Sequence, residues 1–230
     1  LPPSARPPLT FEITVPPTYV EGHTFHVLIY ASTDAGYDRL MIAPTPDAAH
    51  CVTDIATGDY GPWLVCDFNA RDYPRQGRFR FQILELTPDG EHFKLYQSAI
   101  NVADAYSVPP TLSREVEQVA GPFMEVDDPW AFMDGWMDSD LYLEQLGLHA
   151  NWWGTATKHV LDHNEWDLAF SWVGTIDHIE HVLYGGIVPH SRVYDPDRAE
   201  WCWHMIREVY RQVDDNIGKI LAGIDLNETY

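Results

Sequence analysis

Asp177 and His181 offer the most direct chemistry in this sequence. They lie in Gly174-Thr175-Ile176-Asp177-His178-Ile179-Glu180-His181. In a helix starting near Thr175, positions i and i+4 share one face, so a carboxylate and an imidazole stand side by side. An oxygen and a nitrogen donor so placed suit a borderline metal such as Zn²⁺. The same spacing also serves an ordinary surface salt bridge or a helix cap, and spacing alone favours that plainer role. His159 and His163 repeat it, but with 11 histidines in the chain some matches arise by accident, and that pair is not expected to bind metal.

The other candidates weigh toward structure. Trp152-Trp153, Trp201 and Trp203 could stack on sugars or bases, yet large aromatics more often fill cores and interfaces. Asp127-Asp128, Asp134, Asp138 and Asp140 lack the spacing of a calcium loop and read as a solvated acidic stretch. Ser171, Ser191, Cys51, Cys66 and Cys202 sit in no nucleophile-elbow or Cys/His signature. Three cysteines without C-x-x-C spacing predict mostly buried thiols, with a Cys51–Cys66 bridge left open for an exported chain. Gly185-Gly186 reads as a turn, not a phosphate-binding loop.

The elements that must position the Asp177/His181 pair change character near Ser107. Before it, Leu9–Val15, Thr24–Ala31, Tyr37–Ala43, Trp63–Phe68, Gly77–Leu86 and His92–Asn101 read as strands. Phe79 to Ile83 alternates at period two and is followed by Pro88-Asp89-Gly90, which suits a hairpin reversal. Six short strands at this spacing predict an antiparallel, sandwich-like segment over residues 1–107. Beyond Pro109-Pro110, Leu112, Val116 and Val119 share one helical face. A second helix is expected over Ser139–Asp162, with Gly147 and Gly154 as breaks. The strongest follows Asp195-Pro196, a cap and first-turn pair, with Trp203, Ile206, Tyr210, Val213, Ile217 and Leu221 as the buried stripe and Gly223 as the stop. Trp166–Val173 is short and mostly apolar, the pattern of a strand buried on both faces. Ligands of α/β sheets gather beyond the carboxyl ends of such strands, where Asp177 and His181 follow. The expected fold class is α+β: a β-rich segment 1–107, a helical connection 108–163, and a partial α/β core 164–230.

Composition limits the partners. With 45% hydrophobic and 21% charged residues the chain buries a core, and a net charge of −21 disfavours nucleic acid duplexes and anionic membranes. No run approaches the ~20 apolar residues of a membrane span. The first residues lack the apolar stretch of a signal peptide, which leaves the compartment open with the cytoplasm favoured.

One longer pattern adds to this. Trp166-Asp167-Leu168-Ala169-Phe170, then Ile176 to His181, then Tyr210-Arg211-Gln212-Val213-Asp214-Asp215-Asn216-Ile217-Gly218-Lys219-Ile220-Leu221 resemble, in this order, the type I phosphodiesterase/nucleotide pyrophosphatase family of the alkaline phosphatase superfamily. The resemblance covers about a quarter of the chain. It implies two-metal hydrolysis of phosphate esters, with Asp177 and His181 holding one zinc and Asp214 in a structural role. The family's nucleophile and first metal Asp have no counterpart in residues 1–165, and no Ser-Asp-His-Gly-like motif follows the last helix. The resemblance therefore implies a fragment, opening on Leu1 and stopping at Tyr230, with no catalytic nucleophile of its own and inactive alone. Its partners would be a phosphate-ester substrate and the remainder of its own polypeptide. A phosphomutase or sulfatase-like parent is a variant of the same reading. From a different class, an acidic β-sandwich module could bind glycan or protein through aromatics; it requires a concave aromatic patch on the β segment.

Overall fold

Period-two alternation builds the first part of the chain. In the computed structural model, which describes residues 3–15, 23–70, 73–103, 106–124 and 127–229, Leu9–Val15 (β1), His23–Tyr30 (β2), Arg39–Ala43 (β3) and Thr53–Ala56 (β4) form an antiparallel sheet in that order. Phe11 lies opposite Val27, and Val27 opposite Ile42. Phe25, Val27 and Ile29 of β2 are buried while His26 and Leu28 between them are partly exposed, as a sheet with one covered face requires. Leu64–Ala70 (β5), Tyr73–Phe79 (β6), Phe81–Leu86 (β7), Phe93–Gln97 (β8) and Asn101–Val102 (β9) follow. They make a β5-β6-β9 sheet and a β7-β8 hairpin. In the reversal between β7 and β8, Gly90 takes a φ of 79°, and its N–H donates to the Thr87 carbonyl at 2.8 Å.

The structure splits the single strand expected over Gly77–Leu86. Arg80 interrupts it: its N–H donates to Ser98 Oγ at 3.0 Å, and its guanidinium lies over the rings of Tyr60 and Trp63. The chain passes there from one sheet to the next, while Phe79 and Phe81 stay in a common core. That core draws Phe25, Val27, Ile29, Leu40, Ile42, Ile55, Phe68, Phe79, Phe81 and Ile83 from all the sheets.

The chain divides into two compact units, Leu1–Asp104 and Ala105–Tyr230. The second is helical: Pro110–Ala120 (α1), Pro129–Met133 (α2), Ser139–His163 (α3), Thr175–Ile187 (α4) and Ala199–Leu221 (α5). Antiparallel sheets and helices together make the chain α+β. Residues 108–163 and 164–230 share this unit, since α3 and α4 both pack on α5.

Three sequence expectations are corrected here. Gly147 and Gly154 do not break α3. A Cβ on Gly154 would stand 2.7 Å from Asn216 Oδ1, and one on Gly147 3.2 Å from Gln212 Nε2. Both glycines let α5 approach closely, and that contact outweighs their poor helix propensity. The long helix starts at Ala199, since Asp195 and Pro196 are spent in a turn in which Asp195 Oδ1 accepts from the Asp197 N–H at 3.0 Å. Its buried face is Cys202, Met205, Ile206, Val209, Val213 and Asn216. Trp203, Tyr210, Ile217 and Leu221 are exposed. The apolar arc of α5 is wide, and the glycine seam of α3 selects a face about one residue away from the expected stripe.

The largest correction concerns Trp166–Val173, which is no strand. The run is irregular, with a bend at Asp167, and exposed, with Leu168 73%, Phe170 90% and Trp172 62% accessible. Trp166 Nε1 donates to the Leu161 carbonyl at 3.2 Å, and Ser171 Oγ pairs with Thr157 Oγ1 at 2.8 Å. A strand needs a ladder partner for its backbone groups. Among the described residues every paired strand lies in the first unit.

Candidate functional site

Helical phase decides which α4 side chains meet solvent. Thr175, Ile179 and Leu183 recur every four residues and are buried. Asp177 and His181 fall on the opposite side, with side chains 63% and 78% exposed and His181 Nε2 3.3 Å from Asp177 Oδ1. Two donors about 2.0–2.1 Å from a tetrahedral centre stand about 3.3 Å apart, so this separation serves a shared ion as well as a direct ion pair. Asp177 also lies in the first turn of α4, where the helix dipole favours negative charge.

Neighbouring motif residues hold this helix in place. Glu180 accepts a hydrogen bond from the Tyr210 hydroxyl of α5 at 2.7 Å, and that bond to a carboxylate pushes the Tyr210 phenol upward from its usual value. Asp214 is exposed on α5. Beside it, Asp215 pairs with Arg211 at 2.8 Å.

Between Asp177 and His181 on the chain, His178 turns inward and meets two residues that no local spacing joins to it. Its Nδ1 hydrogen-bonds Asp127 Oδ1. The Asp127 side chain has no exposure and that of His178 only 20%. The other Asp127 oxygen accepts from the Tyr142 hydroxyl at 2.8 Å, and burial followed by the Asp127 charge drives the Tyr142 pKa well up. His149 of α3 is completely buried, and its ring stacks 5.8 Å from that of His178. His149 Nε2 lies 3.0 Å from the Trp153 indole N–H, and Nδ1 3.4 Å from Thr175 Oγ1. One ligating atom from each of Asp127, His149 and His178 falls within 4.8 Å of the others. Among the described residues no other three metal-ligating side chains come so close.

The expectation of a solvated acidic stretch is thus corrected at Asp127. Asp128 and Asp138 of the same stretch cap helices, accepting from the Ala131 N–H at 3.0 Å and the Leu141 N–H at 2.9 Å. His159 and His163 have rings 4.3 Å apart, but His163 Nδ1 bonds the His159 carbonyl at 2.9 Å. Trp152 is core: it is buried, stacks edge-on against Phe123, and donates to the Gly121 carbonyl at 3.0 Å. All three cysteines are free. Burial pushes the thiols of Cys66 and Cys202 upward. Among the described residues no helix is long and apolar enough to cross a membrane.

The comparisons return no relative. No family model matches the chain, and no curated protein or solved structure matches it. What this structure offers toward function is the side-chain geometry.

Proposed function

We propose that this chain is part of a metal-dependent phosphodiesterase or nucleotide-pyrophosphatase-like hydrolase, in which Asp177 and His181 supply two ligands of a zinc site. The observation that carries the reading is the convergence of an accessible carboxylate and an accessible imidazole to 3.3 Å at the start of α4. The donor set fits zinc in kind, one oxygen and one nitrogen, and falls short in number, because catalytic zinc takes three protein ligands. On this reading the further ligands and the nucleophile would come from outside residues 1–230. When bound, the metal supplies Lewis-acid stabilisation of phosphoryl oxygens.

The chain's own residues contribute placement and charge. Asp177 brings a negative oxygen where the helix dipole favours it, and His181 presents Nε2 on the next turn. The Glu180–Tyr210 bond anchors the intervening turn to α5. The exposed apolar strip Leu168, Phe170 and Trp172 runs directly into this helix. Apolar area of that kind calls for a cover.

The alternative glycan- or protein-binding module asked for a concave aromatic patch on the β segment. A 410 Å³ cavity does lie on that segment, but among its lining residues Phe11 is the lone phenyl, indole or phenol ring, beside Leu28, Met41, Thr45 and Pro46.

Hydrolysis of bis-p-nitrophenyl phosphate with added Zn²⁺ tests the reading. The 230-residue chain is expected to be silent and the longer polypeptide containing it active. Asp177→Ala in that polypeptide should lower the rate by about 10²-fold or more. An inert parent, or an Asp177→Ala rate equal to the parent's, would refute the assignment.

A further inference from the structure

We propose a second metal site on the inner side of α4, formed by Asp127, His149 and His178 and suited to a zinc-class divalent ion. It is distinct from the Asp177/His181 pair, which faces solvent from the opposite side of the same helix.

Three segments far apart in the chain bring one carboxylate and two imidazoles together, with a ligating atom of each inside 4.8 Å. Nitrogen and oxygen donors in that ratio suit Zn²⁺, Co²⁺ or Ni²⁺, whereas Mg²⁺ and Ca²⁺ prefer oxygen throughout. Three protein ligands plus a water complete a tetrahedron. The surroundings are already arranged: Tyr142 donates to the Asp127 oxygen that does not face His178, which fixes the carboxylate's orientation. Such outer-sphere hydrogen bonds are a regular part of metal sites.

Occupancy has one necessary consequence. An indole N–H only donates, so Nε2 of His149 must be unprotonated where it meets Trp153. If the ion takes Nε2, it displaces the Trp153 N–H. If it takes Nδ1, neutral His149 carries its proton on Nε2, and two N–H groups then face each other. Either way the Trp153 indole loses its acceptor. Trp153 is partly exposed, so its N–H can turn to water. An ion held by both Asp127 and His178 would also take the place of the hydrogen bond that joins them. It thereby joins α3, α4 and the segment before α2, fixing the start of the helix that carries Asp177 and His181.

The test is a Co²⁺ titration of the chelator-stripped 230-residue chain, followed by visible absorption and tryptophan emission. The expected result is saturation near about one equivalent with the intense bands of four-coordinate cobalt, a concurrent emission change, and no such change with Mg²⁺. His149→Gln and His178→Gln should each weaken binding about 10–100-fold. The double variant Asp177→Ala/His181→Ala should bind cobalt as the parent chain does. Trp153→Phe removes the competing donor without touching a ligand, and should tighten binding several-fold. The proposal is overturned if the parent chain shows no cobalt bands, if binding follows Asp177 and His181 instead, or if Trp153→Phe fails to tighten it. The parent-chain spectrum and Trp153→Phe alter no ligand, so they decide the matter even where a histidine variant does not fold.

Discussion

Replacing Asp127 by alanine is expected to destabilise the second unit by about 3–5 kcal/mol. The carboxylate is shielded from water and accepts from both Tyr142 and His178. Alanine removes the acceptor and leaves a completely buried phenol and a mostly buried imidazole without it, so each forfeits a hydrogen bond that water cannot replace. The larger part of that loss falls on the Tyr142 hydroxyl, which is wholly enclosed. Surface carboxylates such as Asp140 should change stability by less than about 0.5 kcal/mol on the same replacement. Urea unfolding followed by tryptophan emission isolates this unit, because Trp63 is the one tryptophan of residues 1–104. An Asp127→Ala midpoint close to that of Asp140→Ala would mean that the buried network contributes nothing.

In the first unit the largest loss is expected from Phe79→Ala, about 3–5 kcal/mol. Phe79 is wholly inaccessible and meets Phe25, Phe68 and Phe81 edge-on, with ring centroids 6.1, 6.2 and 5.6 Å away. Removing the ring discards its transfer free energy and three aromatic contacts, and leaves a cavity at the junction of the sheets. Amide hydrogen exchange in β2, β6 and β7 should accelerate by about 10²–10³-fold, while α3 and α5 keep the parent's protection. Unchanged exchange in β2 would show that the sheets do not share this core. Acceleration in the helices as well would show that the two units unfold together.

The β-rich half was legible because its signals are local. Alternation in Phe79 to Ile83 and the Pro88-Asp89-Gly90 reversal depend on neighbours a few residues away: Phe79, Phe81 and Ile83 are buried, although Arg80 divides the strand, and the reversal joins β7 to β8. β4 was missed because Thr53–Ala56 has only Ile55 as a sizeable apolar residue. The helical half depends on distant partners. Gly147 and Gly154 look like breaks until α5 lies against them. The apolar run Trp166–Val173 has the composition of a buried strand, but composition does not supply the neighbouring strand that would bury it.

The candidate sites divide in the same way. Asp177 and His181 were visible because an i, i+4 pair is written in the sequence. The Asp127–His149–His178 cluster was not, since 51 residues separate Asp127 from His178. One signal was available: helical phase puts His178 on the same side as Thr175 and Ile179. A histidine facing inward must find a polar partner. The identity of that partner needed the fold.

The proposal that Asp177 and His181 hold a catalytic metal is tested most directly by zinc-edge anomalous diffraction from crystals, grown with Zn²⁺, of a longer polypeptide that contains residues 1–230. The expected map has an anomalous peak about 2.0–2.2 Å from both an Asp177 carboxylate oxygen and a His181 ring nitrogen, completed by ligands from outside residues 1–230. A map in which the two side chains pair only with each other, with zinc elsewhere or nowhere, would contradict it.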